Sequence, residues 1–286
     1  MKRNKSKKRS RKPIPAEREP SSLTPFLFPG ARPWVRSAVA AWLRSLPVRP
    51  ALFIEPFAGP GAVALAVAEL GLADRVLLVE GSPELAAFWS ALFGKAWPDL
   101  RRKILRFKPS RKSVVRELKR RPGGKAGLAF QALVRNRFQQ GGSLLPGVQP
   151  LRRGSFKLFW RPNALLSRIA KIQALAPRLQ FVAADGFKAM EDHLFRQQVA
   201  FFVDAPLRPG ESAGGPRPYR HAVADLTRVF KIASCAWGDG LLLLPRSAEV
   251  SRLAAEHGLE EAGKDLVRAR RGLRRETFLV KPGDEP

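Results

Sequence analysis

The sequence is poor in cysteine, histidine and acidic residues, and it has no long apolar run. It contains one cysteine, Cys235, and three histidines, His193, His221 and His257, which lack the spacing of metal ligands. An internal disulfide is therefore excluded, no metal site is expected, and a reducing cytoplasm is the expected compartment. No segment is apolar for long enough to cross a membrane, and the basic N-terminus lacks the apolar stretch of a signal peptide.

The shortage of acids leaves a large positive charge. The 286 residues include 52 lysines and arginines against 24 aspartates and glutamates, which gives a formal net charge of +28. Such a field attracts polyanions, and nucleic acid is the commonest of them. An arginine-rich source proteome or a solvated surface are the alternatives, but the clustering of the cations favours contact with nucleic acid.

Two segments carry the clustered charge. Residues 1–22 combine a like-charge block with several prolines, which predicts a disordered tail. This tail is a phosphate-binding arm, a solubilising extension or the result of a start codon placed too early. Between about 98 and 178 the strand pattern stops and basic helical or irregular segments take over. We expect this second segment to be an insertion that binds a polyanion.

The rest of the folded chain, 23–97 and 179–286, predicts an α/β domain. Strands alternate with helices, which implies a mostly parallel sheet covered on both faces. Ser82 and Ser247 stand where they can cap two of the helices. The expected strands are 51–55, 75–80, 179–185, 199–204 and 240–245, with a final antiparallel pair within 264–281.

Glycines and acids stand at the ends of these strands. Gly59 and Gly61 follow the first strand and, because they have no Cβ, let the backbone approach a ligand closely. Glu80 ends the second strand about twenty residues later, where an acid meets ribose hydroxyls. Since strand carboxyl ends converge at one sheet edge, we expect Asp185 near an adenine amine and Asp204 facing the substrate. Together they predict a pocket for a nucleoside cofactor, although each acid alone could be a helix cap or a loop charge.

From about Pro25 to Val280 the chain resembles the D12-class, Dam-like adenine-specific DNA methyltransferases. The segment Phe53–Gly61 is similar to that family's cofactor loop, and Asp204-Ala-Pro-Leu207 stands where the family carries Asp-Pro-Pro-Tyr. Other similar segments are Pro25–Gly30, Val79–Glu80, Asn136–Arg137 with Gly141–Gly142, Ala184–Phe187 and Tyr219. The resemblance implies a Rossmann-like methyltransferase sheet, S-adenosylmethionine as cofactor and double-stranded DNA as partner. We expect a monomer that uses no metal.

The resemblance also implies roles for individual residues. Asp204 and the carbonyl of Ala205 would accept the two N6 hydrogens of a flipped adenine, and the methyl group would then transfer in line. Pro206 and Leu207 complete this catalytic segment. The implied cofactor-binding residues are Phe28, Gly30, Arg32, Glu55, Phe57, Gly59, Gly61, Glu80, Asp185 and Gly186. The implied DNA-binding residues are Arg135, Asn136, Arg137, Arg152, Arg153 and Arg161.

Three departures from the family pattern leave other functions open. Ala205 replaces a proline, Leu207 replaces the aromatic that stacks on the base, and Arg32 stands about where the family carries lysine. The loss of ~1–3 kcal/mol of stacking would weaken base binding ~10- to 100-fold. The alternatives are an impaired homologue that only binds DNA and an RNA adenine methyltransferase, because the charge does not distinguish DNA from RNA. A nicotinamide dehydrogenase fits less well, because it has no use for the Asp204 segment or the basic insertion.

Overall fold

The computed structural model of the chain describes residues 22–27, 33–145, 147–148, 150–151, 156–206, 225–245, 247–269 and 272–280. Apart from Ser22, the predicted tail lies outside these ranges. Within them the chain forms one seven-stranded sheet with flanking helices.

The sheet is mostly parallel, as predicted. Its strands are β1 (Leu52–Glu55), β2 (Arg75–Val79), β3 (Leu179–Val182), β4 (Val199–Val203), β5 (Asp239–Pro245), β6 (Glu260–Ala269) and β7 (Gly272–Val280). They lie in the order β3-β2-β1-β4-β5-β7-β6, and the first five in this order are parallel to one another. β7 runs antiparallel to both β5 and β6. This confirms the α/β class with an antiparallel C-terminal pair.

Eleven helices lie within the described ranges. They are α1 (Pro33–Ser45), α2 (Ala62–Leu70), α3 (Pro83–Leu92), α4 (Trp97–Arg106), α5 (Arg111–Lys119), α6 (Gly124–Phe138), α7 (Phe156–Phe159), α8 (Pro162–Ala174), α9 (Gly186–Glu191), α10 (Leu226–Cys235) and α11 (Ala248–Glu256), with a short 3₁₀ helix at Gln140–Gly142. Ser82 precedes α3 without a side-chain cap bond, whereas the Ser247 hydroxyl accepts the Val250 N–H at 3.1 Å and caps α11 as predicted. Helices α4 to α8 lie between β2 and β3 in the chain, in the span predicted as the basic insertion.

Two hydrophobic clusters pack against the sheet. One contains residues of α1 to α3 and the other contains residues of α9 to α11. Neighbouring strand residues divide between them, because successive side chains of a strand point to opposite faces. Phe53 belongs to the first cluster and Ile54 to the second. Leu100, Val114 and Leu133 of the inserted helices also belong to the first cluster. The inserted helices therefore share the core of the sheet instead of building one of their own.

Candidate active site

The strand order reverses direction between β1 and β4. The chain proceeds outward from β1 through β2 to β3 and then returns to β4, on the other side of β1. At such a reversal an open α/β sheet leaves a crevice beyond the carboxyl ends of its strands, where ligands bind. Gly59 follows β1, Glu80 follows β2 and Asp204 follows β4. The fold therefore brings these three predicted site residues to one edge.

The loop after β1 depends on its glycines. Gly59 and Gly61 have φ angles of 52° and 68°, in the left-handed region that favours glycine. A Cβ added to Gly61 would lie 2.7 Å from Cδ2 of Leu78 and 2.8 Å from the ring of Trp89. The indole N–H of Trp89 donates to the Gly59 carbonyl oxygen at 3.1 Å. Residues 56–61 form the predicted glycine loop. Backbone conformation favours glycine at positions 59 and 61, and packing also requires it at position 61.

Glu80 is bonded directly to this loop. Its Oε2 accepts the Gly59 N–H at 2.7 Å and its Oε1 accepts the Ser82 N–H at 2.6 Å. The Glu80 N–H donates to the Val182 carbonyl of β3 at 3.2 Å, which continues the ladder between β2 and β3. The half-buried carboxylate is therefore held against the glycine loop and the start of α3.

Glu55 is a buried carboxyl group below the loop. It ends β1 with 5% of its surface exposed, and its Oε2 accepts the Ala64 N–H at 2.8 Å in the first turn of α2. Burial raises the pKa of Glu55 well above its ordinary value, although the Ala64 hydrogen bond opposes that rise. Repulsion from Asp204 and Glu80 raises it further. The three carboxyl groups therefore share one electrostatic environment.

The predicted catalytic segment begins at the end of β4. Asp204 directly follows the strand and is half-buried, Ala205 is buried, and Pro206 is half-buried. Their placement beside β1 puts them next to the glycine loop in the sheet order. Leu207 lies outside the described residues, as do Phe28, Gly30, Arg32, Arg152, Arg153 and Tyr219.

Asp185 and Gly186 form the start of α9 after β3. The Asp185 side chain accepts the Lys188 N–H at 3.0 Å, so it acts as a helix cap. A Cβ on Gly186 would overlap the Pro56 carbonyl oxygen and the Phe57 ring. Phe57 in turn meets Phe187 edge to face, with ring centroids 5.3 Å apart. Phe57 and Gly186 thus pack α9 against the glycine loop, a role that their sequence positions did not indicate.

Arg135 and Asn136 of α6 are interior residues, which corrects the prediction that they face DNA. Arg135 is 7% exposed and its guanidinium lies 3.2 Å from the buried carboxylate of Glu84. Asn136 is 2% exposed and its side-chain amide bonds to the backbone of Leu27. The partly buried Arg137 donates to the Pro25 carbonyl oxygen at 2.6 Å. Arg161, at the start of α8, is exposed.

The exposed cations lie instead on α4, on α5 and in the segments beside them. We call this set the basic surface; it comprises Arg101, Arg102, Arg106, Lys108, Arg111, Lys112, Arg116, Lys119, Arg120, Arg121 and Lys125. Glu117 is the sole acidic residue of the sequence between 101 and 125. Leu100, Ile104 and Val114 of the same helices are fully buried, which fixes the cationic sides towards solvent.

Two kinds of feature are absent from the part of the chain that the structure describes. It contains no cluster of three or more His, Cys, Asp or Glu side chains that could hold a metal ion. It also contains no helix that is long and apolar enough to cross a membrane.

No family model and no curated protein matches the chain. Similar solved structures include the rRNA methyltransferase aviRa from Streptomyces viridochromogenes, at 14% identity over 90% of this chain and 89% of that chain, with a TM-score of 0.43. Precorrin-6y C5,15-methyltransferase from Geobacter metallireducens is 9% identical over 89% of this chain and 93% of that chain, with a TM-score of 0.38. Magnesium protoporphyrin IX methyltransferase from Synechocystis, with bound SAM, is 12% identical over 87% of this chain and 79% of that chain, with a TM-score of 0.36. Such distant similarity assigns no activity, so the class of protein rests on the geometry of the chain itself. It is an α/β protein with a Rossmann-like, doubly wound sheet. Its carboxyl-lined site lies at the switch point, where the strand order reverses between β1 and β4.

Proposed function

We propose that the protein is an S-adenosylmethionine-dependent methyltransferase that modifies N6 of adenine in DNA. The observation that carries the proposal is the meeting of the glycine loop, Glu80 and Asp204 at the switch point of the sheet. The antiparallel β7 supports it, since the resemblance to the D12-class enzymes implies a sheet of that form. Asp204-Ala205-Pro206 supplies the acid, carbonyl and proline that the proposed reaction uses.

The charge of the site favours a cationic cofactor over a dinucleotide. A pyrophosphate binds to the free N–H groups at a helix N-terminus. Here the Ala64 N–H at the start of α2 is taken by Glu55, and Glu80 takes the Gly59 N–H of the preceding loop. The carboxylates of Glu80 and Asp204 would repel an anionic pyrophosphate and attract a sulfonium cation. In this proposal Glu80, at the end of β2, binds the ribose hydroxyls of the cofactor.

The residues after β4 would prepare the substrate amine. The bound cofactor supplies an activated methyl group on sulfur. The carboxylate of Asp204 and the main-chain carbonyl of Ala205 accept the two N6 hydrogens of a flipped adenine, which concentrates the nitrogen lone pair towards the methyl carbon. Asp204 is also placed to take the proton that the amine loses when the nitrogen–carbon bond forms. The chemistry is mainly one of positioning, which is what a rigid strand end provides.

The basic surface supports a nucleic acid as the carrier of that adenine. Its exposed cations are of one sign and lie on helices that are fixed to the core of the sheet. Phosphate contacts of this kind supply sequence-independent affinity that depends strongly on salt. They position the polymer and leave the choice of base to other groups.

Incubation with S-adenosylmethionine labelled in its methyl group tests the proposal. Duplex DNA and RNA of matched sequence serve as alternative substrates, and the variant Asp204→Ala serves as the control. We expect label in duplex DNA with the natural chain and none with the variant. Label in RNA alone would support the RNA alternative. Tight cofactor binding without transfer to either polymer would favour the impaired DNA-binding homologue.

A further inference from the structure

We call residues Ser22–Leu27 the opening segment. Side chains of the inserted helices hold it through hydrogen bonds to its backbone. Asn136 of α6 hydrogen-bonds to both main-chain groups of Leu27. Its Oδ1 accepts the Leu27 N–H at 2.7 Å, and its Nδ2 donates to the Leu27 carbonyl oxygen at 2.7 Å. The same Nδ2 donates to the Gly142 carbonyl oxygen at 3.0 Å. The amide is almost fully buried, with 2% of the residue exposed. A side chain that pairs with both groups of one residue fixes the register of the segment whatever its sequence.

Two arginines from the inserted helices reach the same backbone. Arg137 donates to the Pro25 carbonyl oxygen at 2.6 Å, and Arg168 donates more weakly to the Thr24 carbonyl oxygen at 3.5 Å. Burial lowers the pKa of Arg137 to about 10, and the nearby charge of Arg168 contributes to the decrease. The two arginines are thus near each other, and both donate to carbonyl groups of the opening segment.

The other side of the opening segment contacts the glycine loop. The Thr24 hydroxyl donates to the Pro60 carbonyl oxygen at 2.8 Å. The Phe26 ring meets Phe88 edge to face with centroids 4.8 Å apart. Phe88 adjoins Trp89, which donates to the Gly59 carbonyl oxygen. The opening segment therefore connects α6, bonded to Leu27 and Pro25, with the glycine loop, bonded to Thr24.

We propose that Asn136 is a positioning residue for the cofactor site. By fixing Leu27 it places the Thr24 hydroxyl on Pro60 and so sets the glycine loop in its ligand-binding form. The inference rests on the proposed function, in which this loop holds the cofactor. It also replaces the DNA contact predicted for Asn136 with a link between the inserted helices and the cofactor loop.

Gln131 provides a matched control on the same helix. It is 1% exposed, and its Nε2 donates to the carbonyl oxygens of Glu117 and Arg120 at 2.8 and 2.7 Å. Its Oε1 accepts from Arg135 at 2.7 Å. Asn136→Leu and Gln131→Leu therefore each remove a buried amide that makes three hydrogen bonds, but only the first releases the opening segment.

Titration of the full chain with S-adenosylhomocysteine, the expected product form of the cofactor, tests the inference. The titration is done at a temperature well below the unfolding midpoint of each variant. We expect Asn136→Leu to bind about tenfold more weakly than the natural chain. Gln131→Leu should stay within about twofold, because it loses stability without disturbing the loop. Thr24→Val, which keeps the side-chain volume and removes the Pro60 contact, should weaken binding about threefold and serves if Asn136→Leu does not fold.

Hydrogen exchange of the amides of Leu27 and Gly61 supplies a second measurement that needs no ligand. Both should exchange faster in Asn136→Leu than in Gln131→Leu. Equal affinities and equal exchange in the two leucine variants would overturn the inference. Failure of the natural chain to bind the cofactor product would count against the proposed function, while the exchange result would still decide whether Asn136 sets the loop.

Discussion

Replacement of Gly61 by alanine tests the glycine loop most sharply. At a φ of 68° an L-residue costs ~1–2 kcal/mol relative to its preferred conformations. The new methyl group would lie 2.7 Å from Cδ2 of Leu78 and 2.8 Å from the Trp89 ring, and both side chains are fully buried. Overpacking of a filled core costs a further ~1–3 kcal/mol. Gly61→Ala should therefore lower the free energy of unfolding by ~2–5 kcal/mol.

Gly258→Ala separates the two contributions. Gly258 follows α11 with a φ of 64°, and nothing lies within 4 Å of its added Cβ. It should therefore show only the conformational cost of ~1–2 kcal/mol. Urea unfolding of both variants measures the difference, which we expect to be ~1–3 kcal/mol. Equal losses would refute the packing described around Gly61, and unchanged cofactor affinity in Gly61→Ala would refute the role given to its loop.

Two further predictions concern charge. Because the pKa of Glu55 is raised above 4.5, the folded state holds this proton more tightly than the unfolded chain, so the free energy of unfolding falls as pH rises above that value. Glu55→Gln, which can still accept from Ala64, should flatten that fall in urea unfolding measured across pH, and parallel curves would contradict the shift. Alanine at both Arg116 and Lys119 should lower the slope of log affinity for duplex DNA against log salt by ~1.8, at ~0.9 for each phosphate contact. Alanine at Lys231, on α10 at the other face, should leave the slope unchanged; equal effects would place the DNA elsewhere.

Much of the sheet could be predicted because its central strands β1, β2 and β4 are largely buried on both faces. Short continuous apolar runs such as Val199–Val203 are typical of buried parallel strands. The glycines and acids that follow these runs mark the strand ends. The Ser247 cap has a local signal, since a serine before a helix serves the third N–H of that helix. The antiparallel pair extends further towards the N-terminus than expected, to Glu260.

The interior of α6 could not be predicted, because its polar residues have distant partners. Asn136 bonds to Leu27, 109 positions earlier, and Arg135 pairs with Glu84, 51 positions earlier. The presence of an arginine or asparagine in the sequence does not show whether its side chain contacts phosphate or a buried backbone group. Apolar neighbours such as Leu133 and Val134 were a local sign of burial. The shared core of the inserted helices had no local signal, since it depends on α3 packing against α6.

Nucleoside mass spectrometry of DNA shows whether the protein methylates adenine. Duplex DNA is incubated with S-adenosylmethionine and either the full natural chain or Asp204→Ala, after cofactor binding by both has been measured. We expect N6-methyladenine with the natural chain and none with the variant, although the variant still binds the cofactor. Cofactor binding by the natural chain without any methylated adenine, or equal methylation by the variant, would contradict it.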